Sequence, residues 1–211
     1  MKEMIARIGS LKIIPIMTVE RASDALNAAK ALVEGGLPCA EVTFRTAAAE
    51  EAIRAIRKIE GILLGAGTIL KPEQVDLAAK AGAQFIVTPG FNPQVVRRCL
   101  DRGMPVFPGV ATPTEIETAL SFGLEVVKYF PMEAFGGLKT LKAVSAPYPM
   151  MRFIPTGGIS AANLKSYLEF PKVLACGGSW LATKELISAG RYDEIARLVR
   201  EAVQIAQALK A

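Results

Sequence analysis

The segment "VVKYFPMEA", residues 126–134, has the apolar, β-branched and aromatic composition of a buried strand, yet it carries Lys128 at its centre. Alternate residues of a strand share a face, so Val127 and Tyr129 lie opposite Lys128. If those two side chains pack against helices, Lys128 points into the interior of the sheet. Desolvation there disfavours the ammonium form, and a neutral lysine can form a Schiff base with a ketone. The alternatives are a structural ion pair and a side chain that snorkels to water at a strand end.

A second polar face lies in "CAEVTFRT". Glu41, Thr43 and Arg45 are spaced at i, i+2 and i+4, so a strand places all three on one face and leaves Val42 and Phe44 on the other. The pattern predicts that the carboxylate and the guanidinium point inward, where they could handle protons and anionic groups. An exposed edge strand would give the same alternation, so that interpretation stays open.

Two glycine pairs follow later strand-like runs, in "IPTGGIS" and "ACGGSW". The pairs are Gly157-Gly158 and Gly177-Gly178, with Ser179 directly after the second. Backbone amides at the carboxyl ends of strands, next to a helix N-terminus, commonly hold a phosphate in barrel enzymes. A single glycine pair can be merely a turn. Two pairs on successive strand ends indicate a phosphate site.

Two other runs end in motifs that reach the same edge, "GAGT" with Thr68 and "TPG" with Thr88 and Pro89. Each motif alone is typical of a turn. Their shared position at strand ends makes Thr68 and its neighbours candidates for substrate contact.

The chain contains no histidine. Ser-His-Asp and Cys-His nucleophilic systems are therefore excluded, and zinc loses its commonest ligand. Cys39, Cys99 and Cys176 are odd in number and far apart, which fits neither a disulfide framework nor a zinc spacing, so we expect a cytoplasmic protein without a metal.

Eight β-type runs recur about every twenty residues, separated by segments with helical periodicity. The runs are "KIIPIM", "CAEVTF", "ILLGAGTI", "QFIVTP", "MPVFPGV", "EVVKYFP", "RFIPTGG" and "VLACGGSW". Their nearly continuous apolar character is typical of parallel strands covered on both faces. The sequence predicts an α/β fold, a (β/α)8 TIM barrel with an additional N-terminal helix, as a single domain over residues 1–211. A doubly wound open sheet is the alternative.

Charge and hydropathy limit the partners. The 211 residues carry a formal net charge of +5, but the basic residues are interspersed with acidic ones and form no stripe. We therefore expect no nucleic-acid partner, and the excess favours anionic substrates. The longest apolar runs are too short to cross a bilayer, so we expect neither a membrane span nor a signal peptide.

Taken together, "EVTFRT", "GAGT", "TPG", "KYFPMEAFGG", "PTGGIS" and "GGSW" resemble the 2-keto-3-deoxy-6-phosphogluconate (KDPG) aldolases. That family includes enzymes that also cleave 2-keto-4-hydroxyglutarate (KHG). The resemblance extends from about Ile13 to Gln204. It implies a homotrimeric class I aldolase that needs no cofactor, with a phosphorylated keto acid and pyruvate as its small-molecule partners.

The resemblance also implies roles for individual residues. Lys128 would be the Schiff-base lysine and Glu41 the acid/base carboxylate. Substrate-binding roles would fall to Arg45 and Thr68 at the pyruvyl carboxylate, Thr156 in positioning, Gly157, Gly158, Gly178 and Ser179 at the phosphate, and Phe130 and Pro89 along the pocket wall. One departure is Tyr129, where many relatives have Phe; an outward-facing side chain there leaves the chemistry unaffected.

Two other functions remain compatible with these residues. One is a phosphate-binding barrel isomerase in which Glu41 is the base and Lys128 is only its electrostatic partner. The other is a catalytically inactive or engineered barrel retained for its assembly, since the fold can associate without an active site.

Overall fold

The computed structural model of the protein describes residues 1–209, so the last two residues of the predicted 1–211 domain lie outside it. Strands and helices alternate along this part of the chain, which confirms the α/β class. Its strands are β1 (Ile13–Met17), β2 (Cys39–Thr43), β3 (Leu63–Gly67), β4 (Phe85–Val87), β5 (Val106–Phe107), β6 (Gly109–Val110), β7 (Val126–Tyr129), β8 (Arg152–Pro155) and β9 (Cys176–Gly178).

The helices lie between and around these strands. They are α1 (Lys2–Leu11), α2 (Ala22–Glu34), α3 (Ala49–Ile56), α4 (Pro72–Ala81), α5 (Pro93–Asp101), α6 (Pro113–Ser121), α7 (Gly137–Ser145), α8 (Ala161–Leu168), α9 (Lys184–Ser188) and α10 (Tyr192–Gln207), with short 3₁₀ turns at Glu133–Phe135 and Trp180–Ala182. The extra N-terminal helix predicted from the sequence is therefore confirmed. Within residues 1–209, no helix has the length and apolar character needed to span a bilayer.

The paired strands run parallel and form a curled sheet in two parts. One part has the order β5-β4-β3-β2-β1-β9, and the other has the order β6-β7-β8. Bridges between Phe153 and Val173 and between Thr156 and Gly177 connect the two parts next to β8 and β9. Because these bridges place β9 beside β8, the combined order is β5-β4-β3-β2-β1-β9-β8-β7-β6. This order lacks the reversal of direction that defines a doubly wound sheet, so that alternative is wrong.

The run "MPVFPGV" forms two short strands, whereas the sequence predicted one. Pro108 lies between β5 and β6. Proline lacks the N–H needed for a sheet ladder, so the pairing is interrupted there. β5 pairs with β4, and β6 pairs with β7. The eighth β-type run, β9, pairs with β1.

Two apolar clusters establish which way the strand residues point. Val127 and Tyr129 belong to the large cluster in which strands pack against the surrounding helices. Val126 belongs to a smaller interior cluster, which also contains Ile5 and Ile8 of α1. The first helix thus covers the interior near the amino ends of the strands. The alternation predicted for β7 is confirmed, and Lys128 shares the inward face.

Helix boundaries follow capping signals in the sequence. Thr112 precedes α6, and its Oγ1 accepts a 3.3 Å hydrogen bond from the Glu115 amide. In return, the Glu115 carboxylate accepts a 2.9 Å bond from the Thr112 amide. This reciprocal arrangement is a capping box. Gly82 ends α4 in the left-handed conformation, at φ 114°, where glycine carries no steric penalty.

Candidate active site

A buried ion pair lies at the centre of the candidate site. Lys128 on β7 and Glu41 on β2 are 7% and 3% exposed. The Lys128 Nζ and Glu41 Oε1 atoms are 4.0 Å apart. β2 pairs with β1 and β3, whereas β7 pairs with β6 and β8, so the two side chains meet across the interior. The inward placement of both ionisable groups, predicted from strand alternation, is confirmed.

The environment of Glu41 alters its proton affinity. Burial raises the pKa of the Glu41 carboxyl, whereas the positive charges of Lys128 and Arg45 lower it, and burial is the larger effect. The sequence alone does not show which of these opposing effects on the pKa is larger. A carboxyl that retains its proton above the usual range can both accept and deliver protons near neutral pH.

Gly67 on β3 leaves the space that the Glu41 carboxylate occupies. A Cβ added at Gly67 would lie 2.0 Å from Glu41 Oε1, which is far inside van der Waals contact. Gly67 is opposite Thr43 in the β2–β3 register. Sequence reasoning used "GAGT" only for Thr68 and missed this role. The small residues facing a strand with an inward carboxylate were the available signal.

Arg45 does not lie on the strand as predicted. β2 ends at Thr43. Its last ladder bond runs from the Phe44 amide to the Gly67 carbonyl at 2.7 Å, after which the chain turns. The exposed Arg45 guanidinium nevertheless reaches back, donating to Thr43 Oγ1 at 3.2 Å and to Thr18 Oγ1. Thr18, in the loop after β1, is a site neighbour that the sequence did not reveal.

Thr68, Pro89 and Phe130 follow the carboxyl ends of β3, β4 and β7. The Lys128 Nζ is 5.1 Å from the centroid of the Phe130 ring, which places the ring against the amine. Thr68 is half-buried and adopts a left-handed conformation, with φ 58°. Such backbone conformations in residues other than glycine cost of order 1–3 kcal/mol and cluster at functional sites. Pro89 is also half-buried, in the loop after β4.

The predicted phosphate-binding residues come together after β8 and β9. Thr156 is buried and bridges to Gly177, so the two glycine pairs are adjacent. Gly158 is left-handed at φ 84°, as is Gly157 before it. Within residues 1–209, the amides of Gly158 and Ser179 donate to no protein acceptor. Amides of this kind, beside the start of α8, are suited to receive an anion.

Metal and thiol chemistry find little support among the described residues. Residues 1–209 contain no cluster of three or more His, Cys, Asp or Glu side chains placed to hold a metal ion. Burial raises the pKa of the Cys99 thiol to about 12 and also raises the pKa values of Cys39 and Cys176. These thiols stay protonated at neutral pH, where the thiolate would be the nucleophile.

The fold and the site combine an α/β architecture with an interior lysine beside a carboxyl. The family model for KDPG and KHG aldolases matches residues 4–198. The chain belongs to this family. It is therefore an aldolase, a lyase that cleaves carbon–carbon bonds.

Similar proteins cover nearly the whole chain. The 2-dehydro-3-deoxy-phosphogluconate aldolase of Treponema pallidum (strain Nichols) is 51% identical over 196 residues, which are 92% of this chain and 93% of that protein. The KDPG aldolase of Zymomonas mobilis ZM4, solved with 3-phosphoglycerate, has a TM-score of 0.88 and 36% identity, covering 95% of each chain. The Legionella pneumophila KDPG aldolase, solved with pyruvate captured at low pH as a covalent carbinolamine intermediate, has a TM-score of 0.90 and 35% identity, covering 94% of this chain and 97% of that one.

Replacing Gly67 by alanine tests the space reserved for Glu41. The new Cβ would displace the carboxylate, and misplacement of a catalytic group by about 1 Å can cost about 100-fold in rate. We therefore expect kcat of Gly67→Ala to fall by about that factor, measured by coupled assay of pyruvate release. Gly61→Ala, in the loop before β3, is the control: nothing lies within 4 Å of its added Cβ, and the strain of its left-handed φ of 76° should lower stability while leaving kcat unchanged. Equal kcat values for both variants would contradict the assignment.

The raised pKa of Glu41 also predicts a pH dependence of stability. The ordinary value is 4.5. Above it, the unfolded chain releases the proton while the folded protein still binds it, so wild type loses stability as pH rises through this window. Glu41→Gln lacks this titration. The unfolding free energy of the variant, measured by urea denaturation from about pH 5 to about pH 8, should increase relative to wild type. A constant or declining difference would contradict the raised pKa.

Proposed function

We propose that the protein is a class I aldolase that reversibly cleaves KDPG to pyruvate and glyceraldehyde 3-phosphate, with Lys128 as the Schiff-base nucleophile. The observation that carries this assignment is the buried Lys128–Glu41 pair, with 4.0 Å between nitrogen and oxygen. Family membership supports the same chemistry. The carbinolamine captured in the Legionella pneumophila relative is an adduct of the kind that this mechanism requires.

Lys128 begins the reaction as a neutral amine. Its nitrogen attacks the C2 ketone, and the resulting carbinolamine takes a proton from the Glu41 carboxyl and loses water, which leaves a protonated imine and a Glu41 carboxylate. The Phe130 ring, 5.1 Å from Nζ, limits the water around the amine and shapes the pocket. The cationic imine then attracts electrons from the neighbouring carbon–carbon bond.

Glu41 accepts and donates the protons of the cleavage step in this proposal. It removes the proton of the C4 hydroxyl, directly or through one water, while the electrons of the C3–C4 bond move into the iminium and form an enamine. Glyceraldehyde 3-phosphate leaves at this stage. Glu41 then delivers a proton to C3 of the enamine, and hydrolysis of the imine releases pyruvate and regenerates the Lys128 amine.

Arg45 and Thr68 bind the carboxylate of the keto acid in this proposal. The Arg45 guanidinium is already oriented by Thr43 and Thr18, which reduces the freedom it loses when it binds a carboxylate. Pro89 lines the pocket, and the buried Thr156 positions the substrate above the lysine.

The substrate phosphate binds the amides of Gly157, Gly158, Gly178 and Ser179. The adjacent glycine pairs and the unpaired amides of Gly158 and Ser179 support this assignment. The phosphorylated ligand of the Zymomonas mobilis relative fits the same chemistry. KHG, which would be cleaved to pyruvate and glyoxylate, lacks a phosphate, so as an additional substrate it would use Lys128, Glu41 and Arg45 without the glycine-loop amides.

The architecture proposed for this activity is one closed (β/α)8 barrel over residues 1–211, assembled as a cytoplasmic homotrimer. The bridges next to β8 and β9 support closure. Exposed apolar side chains such as Leu70, Phe135 and Met150 are compatible with a subunit interface. The three free cysteines support a reducing compartment.

Trapping with borohydride tests the nucleophile. Reduction in the presence of pyruvate should add one reduced pyruvate to the peptide that contains Lys128, detected by mass spectrometry after digestion, and should abolish cleavage. Lys128→Ala should show neither labelling nor cleavage. Lys139→Arg, which changes an exposed lysine on α7, should behave as wild type. Cleavage at the wild-type rate with Lys128 unlabelled would contradict the Schiff-base assignment and leave Lys128 as an electrostatic partner of Glu41.

A further inference from the structure

The loop after β7 is hydrogen-bonded to the loop after β8, which carries Gly157 and Gly158. The Met132 amide donates to the Thr156 carbonyl at 2.8 Å, and the Glu133 amide donates to the Gly157 carbonyl at 3.0 Å. These two bonds continue the β7–β8 pairing beyond the strand ends. The candidate phosphate loop is therefore attached to the chain segment that begins with Lys128.

The Glu133 side chain packs against this loop where glycine leaves room. A Cβ added at Gly158 would lie 2.5 Å from both Cβ and Cγ of Glu133. On the other side, a Cβ added at Gly137 would lie 3.2 Å from Glu133 Oε1. Glu133 thus lies close to two glycines, although it belongs to an exposed 3₁₀ turn.

Tyr167 completes the contact from the following helix. It is 1% exposed on α8, and its hydroxyl donates to Glu133 Oε1. Burial and the nearby carboxylate raise the pKa of Tyr167, so the hydroxyl stays protonated and remains a donor. This bond connects α8, which follows the glycine loop, to the segment after β7.

The bond also restrains a negative charge. Glu133 packs against Gly158 through its Cβ and Cγ, and a carboxylate free to move there would repel a phosphate. While it accepts from Tyr167, the carboxylate is fixed beside Gly137 and Tyr167. Loss of the hydroxyl would both loosen the loop and release this charge.

We propose that Glu133 and Tyr167 are positioning residues that hold the Gly157-Gly158 loop in its phosphate-binding shape. They thereby set the preference for phosphorylated over unphosphorylated keto acids. This role rests on the phosphate site in the proposed function. Neither residue touches the reacting carbons, so both act through the loop.

Steady-state kinetics of Tyr167→Phe and Glu133→Ala with KDPG and KHG test this role. Loss of a hydrogen bond to a charged group should raise KM for KDPG by about 5- to 20-fold, with kcat and the KM for KHG within about twofold of wild type. Glu133→Gln keeps an oxygen that can accept from Tyr167, so its KM for KDPG should stay within about threefold of wild type.

A uniform effect would overturn the proposal. If KM for KDPG is unchanged, or rises equally for both substrates, in Tyr167→Phe and Glu133→Ala, the pair does not position the phosphate loop. Thermal unfolding of each variant identifies loss of fold, and the exposed Glu133 provides a variant that leaves the core intact.

Ser179→Asp separates this role from the phosphate site itself, because its added charge should repel phosphate directly. A selective rise in KM for KDPG in Ser179→Asp, with no change in Tyr167→Phe, would retain the site and reject the positioning pair. Equal KM values for KDPG in Ser179→Asp and wild type would reject the phosphate site and the pair together.

Discussion

The Lys128–Glu41 pair is the interaction on which the rest of the structure depends. An amine and a carboxyl in a poorly hydrated interior must compensate for lost solvation, and a charge on either group would be costly there without the other. Their 4.0 Å separation leaves them coupled yet not locked in a short hydrogen bond. The Glu41 carboxyl is therefore free to exchange its proton. Gly67 is a consequence of the same requirement, since any side chain there would occupy the position of the carboxylate.

The parallel strands divide the interior into two zones with different tasks. Near the amino ends, an apolar cluster closed by Ile5 and Ile8 of α1 excludes water and fixes the strand positions. Toward the carboxyl ends, polar side chains and loop amides gather because the direction of every strand brings its end to the same edge. Lys128 lies between these zones, with the apolar cluster on its amino-end side and the proposed substrate pocket on its carboxyl-end side.

Strand alternation was enough to predict the inward directions of Lys128 and Glu41, because period-2 patterns follow directly from backbone geometry. The end of β2 was not predictable, so Arg45 was placed on a strand that stops at Thr43. The contacts of Gly67 and Thr18 depend on the register between neighbouring strands. The Glu133–Tyr167 hydrogen bond joins residues that are 34 positions apart, and no local sequence pattern predicts it. Strand alternation therefore predicts the directions of the two ionisable side chains, whereas the residues that contact and position them are visible only in the folded structure.

Exchange of the pyruvate methyl protons in deuterium oxide, followed by proton NMR, tests the central pair most directly. In the proposed mechanism, exchange requires both an imine on Lys128 and proton transfer by Glu41. The account predicts rapid exchange in wild type and a rate lower by about 100-fold or more in Glu41→Gln, while borohydride still traps pyruvate on Lys128 in that variant. Exchange at the wild-type rate in Glu41→Gln would contradict it, because another group would then move the proton.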